Sequence, residues 1–200
     1  MCIICISEKG VKQPKKELLR TMFEANPHGA GFMWAGRDCK VHISKGYMNF
    51  EDFWRAVSAA RFTKDDVVVY HFRISTQAGV QESMTQPFPF TNDIVKTKAL
   101  DVIADLGIAH NGIIRAFSDP TDKEYSDTAH FVAEFLSEVV HNSRDLSADF
   151  LDALAKYTNS RFTFLDGKGN VFTAGNFIKD CGGLLFSNTS YRRFTFRRVS

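Results

Sequence analysis

No run of about 18 apolar residues occurs anywhere in this 200-residue chain, so the sequence offers no membrane span. An excess of one charge is missing as well. The 25 Lys+Arg against 23 Asp+Glu leave a formal charge of +2, which gives no electrostatic reason to expect nucleic acid as a partner. There is no G-x-x-x-x-G-K-[ST] phosphate loop and no G-x-G-x-x-G dinucleotide turn, and no cofactor is expected. The apolar start from Cys2 to Ile6 is far too short for a secretory signal, so a cytoplasmic placement is expected. Cysteine is scarce: Cys2, Cys5, Cys39 and Cys181 are too few for an exported disulfide scaffold. Cys2-Ile3-Ile4-Cys5 has C-x-x-C spacing, but a zinc knuckle needs a second pair, and Cys39 and Cys181 stand alone. A thioredoxin-type pair precedes a helix, whereas this run is β-branched, so no metal is expected.

What is present is an ordinary globular composition, 44% hydrophobic and 24% charged, in a length that suits one domain over 1–200. The 19 Phe against 2 Trp point to a Phe-rich core. Cys2 to Ile6 reads as a buried strand. Pro14 opens a helix carrying Leu18, Leu19, Met22 and Phe23, stopped by Asn26-Pro27-His28-Gly29. Gly31 to Ala35 and Lys40 to Ser44 form a hairpin, and Asn49 caps a helix with Phe50, Phe53, Trp54 and Val57 at helical spacing. Val67 to Arg73 is a strand, and Thr76 to Asn92 is turn-rich, the best candidate for a long functional loop. Ala99 to Ala104 and Gly107 to His110 are strand-like. Helices follow Ser126 and Ser147, then a second hairpin joins Arg161–Leu165 to Val171–Thr173, with closing strands at Leu184–Ser187 and Arg193–Arg197. This order lacks regular βαβ alternation and reads as α+β, antiparallel sheets covered by helices.

Three features carry chemistry. Cys2 becomes the first residue if Met1 is removed, and an N-terminal Cys holds a thiol and an α-amine together. An α-amine has a reference pKa of about 7.7–8.0, so part of it is neutral near neutral pH and can take the thiol proton. The alternative is a small buried residue beside a start codon. In His71-Phe72-Arg73-Ile74-Ser75-Thr76 an arginine ends an apolar strand, where it either forks onto a substrate carboxylate or makes a structural ion pair. In His110-Asn111-Gly112 a carboxamide and a backbone N–H can converge as an oxyanion hole; the alternative is a plain hairpin turn.

Cys at position 2, then H-x-R-x-x-T, then H-N-G, then Ser126-Asp127-Thr128 opening a helix, in that order, resembles the class II glutamine amidotransferases. These are N-terminal-nucleophile hydrolases that use cysteine. Asn26-Pro27-His28-Gly29-Ala30-Gly31 resembles the N-P-x-G-x-G segment of the smaller members. Phe164-Leu165-Asp166-Gly167 with Leu185-Phe186-Ser187-Asn188-Thr189-Ser190 is similar to their late hairpin. The resemblance covers roughly Cys2 to Tyr191 and implies a four-layer αββα sandwich. It also implies that Cys2 is the nucleophile with its α-amine as base, that Arg73 holds the glutamine α-carboxylate, and that Asn111 and Gly112 form the oxyanion hole. Asp127 then receives the α-amino group, and Thr76 matches a pocket position.

The sequence departs from that family at Ile3, where Gly is usual, at Ile74, where an aromatic is common, and at Gln77-Ala78-Gly79 in place of His-Gly. The resemblance implies hydrolysis of the glutamine side-chain amide, with a separate ammonia-accepting subunit as a possible partner. The alternatives are the same chemistry on another γ-glutamyl or acyl amide, or a non-catalytic module of the same fold.

Overall fold

The structure is a computed structural model and describes residues 1–75 and 79–192. The first strand, β1 (Ile3–Ser7), is buried along its whole length. Ile4 and Ile6 face one apolar core and Ile3 and Cys5 another, so the run is continuous rather than alternating. α1 (Lys16–Ala25) buries Leu19, Met22 and Phe23 on one stripe. α2 (Phe50–Ala60) buries Phe50, Phe53 and Val57, and its Asn49 cap accepts from the Asp52 N–H at 2.9 Å.

Between and after these helices run β2 (Ala30–Ala35), β3 (Val41–Tyr47), β4 (Val68–Phe72), β5 (Phe88–Pro89), β6 (Asp101–Ala104) and β7 (Leu106–Asn111). The expected helix after Ser126 is composite: α3 (Asp127–His130), a π-helical stretch Phe131–Leu136, and α4 (Ser137–Val139). α5 (Ala148–Thr158) is capped by Ser147, and β8 (Arg161–Asp166), β9 (Val171–Ala174), β10 (Ile178–Lys179) and β11 (Leu185–Phe186) follow. β10 was not legible in the sequence, and the expected strand Arg193–Arg197 lies outside the described residues.

The strands form two antiparallel sheets, ordered β10-β11-β1-β4-β2-β3-β6 and β5-β7-β8-β9. Three cores separate the layers. One packs α1 and α2 on the larger sheet through Phe23, Phe32, Phe50, Phe53 and Phe72. A second lies between the sheets, with Ile4, Ile6, Met33 and Val69 against Ala109 and Leu165. The third packs the later helices on the smaller sheet through Phe131, Phe162 and Phe164. This is α+β, and the layering is compatible with a sandwich. Most of the fully buried Phe side chains lie in the two helix-facing cores, where edge-to-face contacts such as Phe53–Phe72 at 5.4 Å recur. The sheet interface uses aliphatic residues instead, and at one point a glycine: a Cβ at Gly107 would come within 2.6 Å of Met33 Sδ, so glycine there lets the sheets approach.

The Thr76–Asn92 segment is not an open loop over its described part. A 3-10 turn at Glu82–Met84 and β5 sit inside it, and Met84, Thr85, Gln86 and Phe88 are buried. The cause is Lys45, a buried lysine on β3. Its Nζ donates to the carbonyls of Ser83 (2.5 Å), Thr85 (3.0 Å) and Thr97 (2.7 Å), and lies 4.5 Å from the Phe88 ring centre. Burial, with Arg73 nearby, pushes its pKa well below the usual lysine value. Lys45→Met is expected to lower stability by about 1–3 kcal/mol for each carbonyl left without a donor, read by urea unfolding. An unchanged midpoint would mean that water replaces the ammonium.

Among the described residues no helix is long and apolar enough to cross a membrane.

Candidate active site

β1 and β4 pair with Ile3 opposite Phe72, so Cys2 and Arg73 follow as neighbours at the same end of the larger sheet. The smaller sheet is tied to that end by His71, whose Nε2 lies 3.1 Å from the His110 carbonyl oxygen. This bridge brings the end of β7, Asn111 and Gly112, over the ends of β1 and β4. The start of α3 closes the remaining side with Asp127. Cys2, Arg73, Gly112 and Asp127 thereby line one cavity of about 130 Å³, with His110 and Gln86 in its wall.

Cys2 is half-buried, and its Sγ lies 3.7 Å from the Ile74 carbonyl oxygen. Burial raises the thiol pKa; the contact with Ile74, the chain's α-amino group and Arg73 pull against it, and Asp127 adds to it. The peptide carbonyls flanking Cys2 are both held. Asn26 Nδ2 donates to the Met1 carbonyl (2.8 Å) and Asn188 Nδ2 to the Cys2 carbonyl (2.7 Å). Met1 itself is 69% exposed.

Arg73 is buried, and its Nη1 donates to the Gly79 carbonyl at 2.9 Å. Its strand end is clasped by the Asn26–Gly29 turn. The His28 N–H donates to the Arg73 carbonyl (3.1 Å), the Arg73 N–H donates to the Gly29 carbonyl (2.8 Å), and the Ser75 N–H donates to His28 Nδ1 (2.9 Å). Gly29 is required there: its φ is +107°, and a Cβ would meet Thr85 Cγ2 at 2.5 Å.

Asp127 faces Arg73 electrostatically across the cavity. Its Oδ2 accepts from the Ile114 N–H (2.7 Å) and its Oδ1 from the Thr128 N–H (2.8 Å) and hydroxyl (3.3 Å). Burial raises its pKa, and these hydrogen bonds oppose the rise. Ser126, as expected, caps α3.

Asn111-Gly112 does not make a tight hairpin turn. It ends β7, and Ile114 then leads into a 3-10 turn at Arg115–Phe117. Gly112 lines the cavity, and a Cβ there would collide with Ser160. Asn111 is fully buried and is not part of the cavity wall. Its Nδ2 donates to Ser187 Oγ (2.9 Å), which also accepts from the Ile4 N–H (2.9 Å), and its Oδ1 has no partner among the described residues. Thr76 lies outside the described residues.

The structure adds Gln86, which no motif singled out and whose Oε1 accepts from the His110 N–H at 2.6 Å, and gives a place to His110, to which its motif assigned no role and whose Nδ1 lies 2.8 Å from Thr128 Oγ1. Burial, and then the neighbouring His71, push the His110 pKa down to about 3. His71 is likewise at about 3, through burial first, so both rings are neutral near pH 7. Cys5 is buried in the helix-facing core, its thiol pKa raised by burial, and Cys39 and Cys181 are exposed. Among the described residues no group of three or more His, Cys, Asp or Glu could hold a metal ion. Compared with protein-family models and with curated proteins, the chain matches none of them.

Proposed function

We propose that this protein is a cysteine-dependent amidohydrolase of the N-terminal-nucleophile type that splits the side-chain amide of glutamine or a related γ-glutamyl amide. The observation that carries this reading is the convergence of Cys2, Arg73, Asp127 and Gly112 on one cavity sized for a small amino acid. A zwitterionic amino acid needs a cationic and an anionic anchor, and Arg73 and Asp127 supply one of each. In this reading Met1 is removed and Cys2 gains a free α-amine. The thiol attacks the carbonyl carbon as the α-amine takes its proton. The oxygen gains negative charge facing the Gly112 N–H, with Asn111 behind it. The C–N bond then breaks, the amine leaves with a proton, and water hydrolyses the γ-glutamyl thioester to glutamate. His110 supports this division of labour, because a ring with its pKa near 3 is too weak a base to activate a thiol. The layered pair of sheets fits the four-layer architecture of such hydrolases.

The test combines intact mass with a glutamine-like diazo ketone. The Met-free chain is expected to take up one adduct at Cys2 and to release glutamate from glutamine or a γ-glutamyl amide. A Met-free chain that takes up none would overturn the reading. Arg73→Lys is expected to raise KM by about tenfold to a hundredfold with little change in kcat. Lysine keeps the charge but loses the fork, and a charge-assisted hydrogen bond is worth about 1.5–3 kcal/mol. A change confined to kcat would place Arg73 at the reacting atoms instead.

A further inference from the structure

A larger cavity of about 550 Å³ adjoins the site and shares three residues with it, Met1, Gly112 and Ile113. The shared residues lie on the side of the nucleophile and the oxyanion donor. Arg73 and Asp127, the anchors for the amino-acid headgroup, line only the smaller cavity. A γ-glutamyl group anchored there directs the far side of its scissile amide into the larger space. Ammonia, the leaving group of glutamine, needs no such space.

The larger wall is apolar at several points where it meets water. Ile113 is 47% exposed and Tyr157 is 69% exposed. Arg115 is the one charged side chain among its lining residues, and no Asp or Glu stands in the wall. The C-terminal end of α5, residues 157–159, also borders the cavity, and its macrodipole is worth about half a negative charge. The whole charge of Arg115 exceeds that, so the cavity favours an anion on the ligand. Met1 lines both spaces, so removing it opens one into the other.

We infer that the larger cavity is a leaving-group subsite and that the preferred substrate is a γ-glutamyl peptide. The scissile nitrogen would belong to an apolar amino acid, its side chain against Ile113 and Tyr157 and its free carboxylate at Arg115. This inference rests on the reading of Cys2 as the nucleophile. Hydrolysis consumes one water and yields glutamate and the free amino acid.

The experiment measures glutamate release by the Met-free chain from γ-glutamyl-leucine, γ-glutamyl-leucinamide and glutamine. The expected order of kcat/KM is γ-glutamyl-leucine at least tenfold above glutamine, with leucinamide between them. Arg115→Gln should erase the preference for the acid over the amide. Tyr157→Ala should cut the ratio of γ-glutamyl-leucine to glutamine several-fold. Both side chains are exposed, so neither change threatens the fold. Glutamine cleaved as well as γ-glutamyl-leucine would overturn the subsite and leave the amidohydrolase intact. Equal rates on acid and amide would overturn the role of Arg115. No release from any of the three, with no diazo ketone adduct at Cys2, would overturn both readings together.

Discussion

Cys2→Ala, in a chain shown by mass to lack Met1, is expected to release no glutamate from glutamine or any γ-glutamyl amide while unfolding at the same urea concentration as the parent. Nucleophile and base belong to one residue in the proposed mechanism, so the thiol has no deputy. The stability side follows from packing. Cys2 is half-buried, precedes β1, and gives up only a weak 3.7 Å contact with the Ile74 carbonyl. Burial holds the resting thiol protonated, so activity should climb with pH through the range in which an α-amine deprotonates. Cys5→Ala is the control, because that thiol sits in the helix-facing core. Residual turnover in Cys2→Ala would remove Cys2 from the chemistry, and an equal loss in Cys5→Ala would bring back a dithiol or metal role for the pair.

Asn111→Ala is expected to lower kcat by about a hundredfold or more with KM nearly unchanged, the pattern of an interaction made mainly in the transition state. The side chain is held rather than free: Ser187 Oγ stands 2.9 Å from its Nδ2, and Oδ1 is unpartnered among the described residues. A carboxamide turned by 180° exchanges those two atoms. The Ser187 hydroxyl, which already accepts from Ile4, would then donate to Oδ1, and both amide N–H groups of Asn111 would be freed directly behind Gly112, the cavity residue that precedes the oxyanion position. Ser187→Ala should therefore cost less than Asn111→Ala but act in the same direction, on kcat. A loss of stability in Asn111→Ala, with normal kcat in the folded fraction, would make Asn111 a scaffold residue behind the wall.

Much of the local structure could be read directly from the chain. Asn49, Ser126 and Ser147 cap the helices they precede, because a short polar side chain before an apolar stripe has one favourable use there. Strands β1, β4, β7 and β8 announced themselves as apolar β-branched or aromatic runs, and the C-x-x-C spacing gave way to opposite strand faces. The residue types at the site, a cysteine, an arginine ending a strand and an aspartate opening a helix, were visible for the same reason: each is costly or unusual where it stands.

What no local pattern held was distance. Asn111-Gly112 carries the strongest turn signal in the chain, yet it ends a strand. Gly112 is pressed against Ser160 by sheet packing, and Ile114 answers to Asp127 rather than to a hairpin partner. Gln86, Ser187, Asn26 and Asn188 became part of the site only through contacts across 24 to 186 residues. The Thr76–Asn92 segment read as loop because the order of its described part, around Ser83 and Thr85, comes from Lys45, a residue on another strand. Sequence determined most of the longer strands and helices, since capping and periodicity act within a few residues, but not the short β5 and β10. Only the tertiary structure decided that the ends of β1, β4 and β7 meet α3 at one cavity, because that meeting depends on two sheets stacking in a single register.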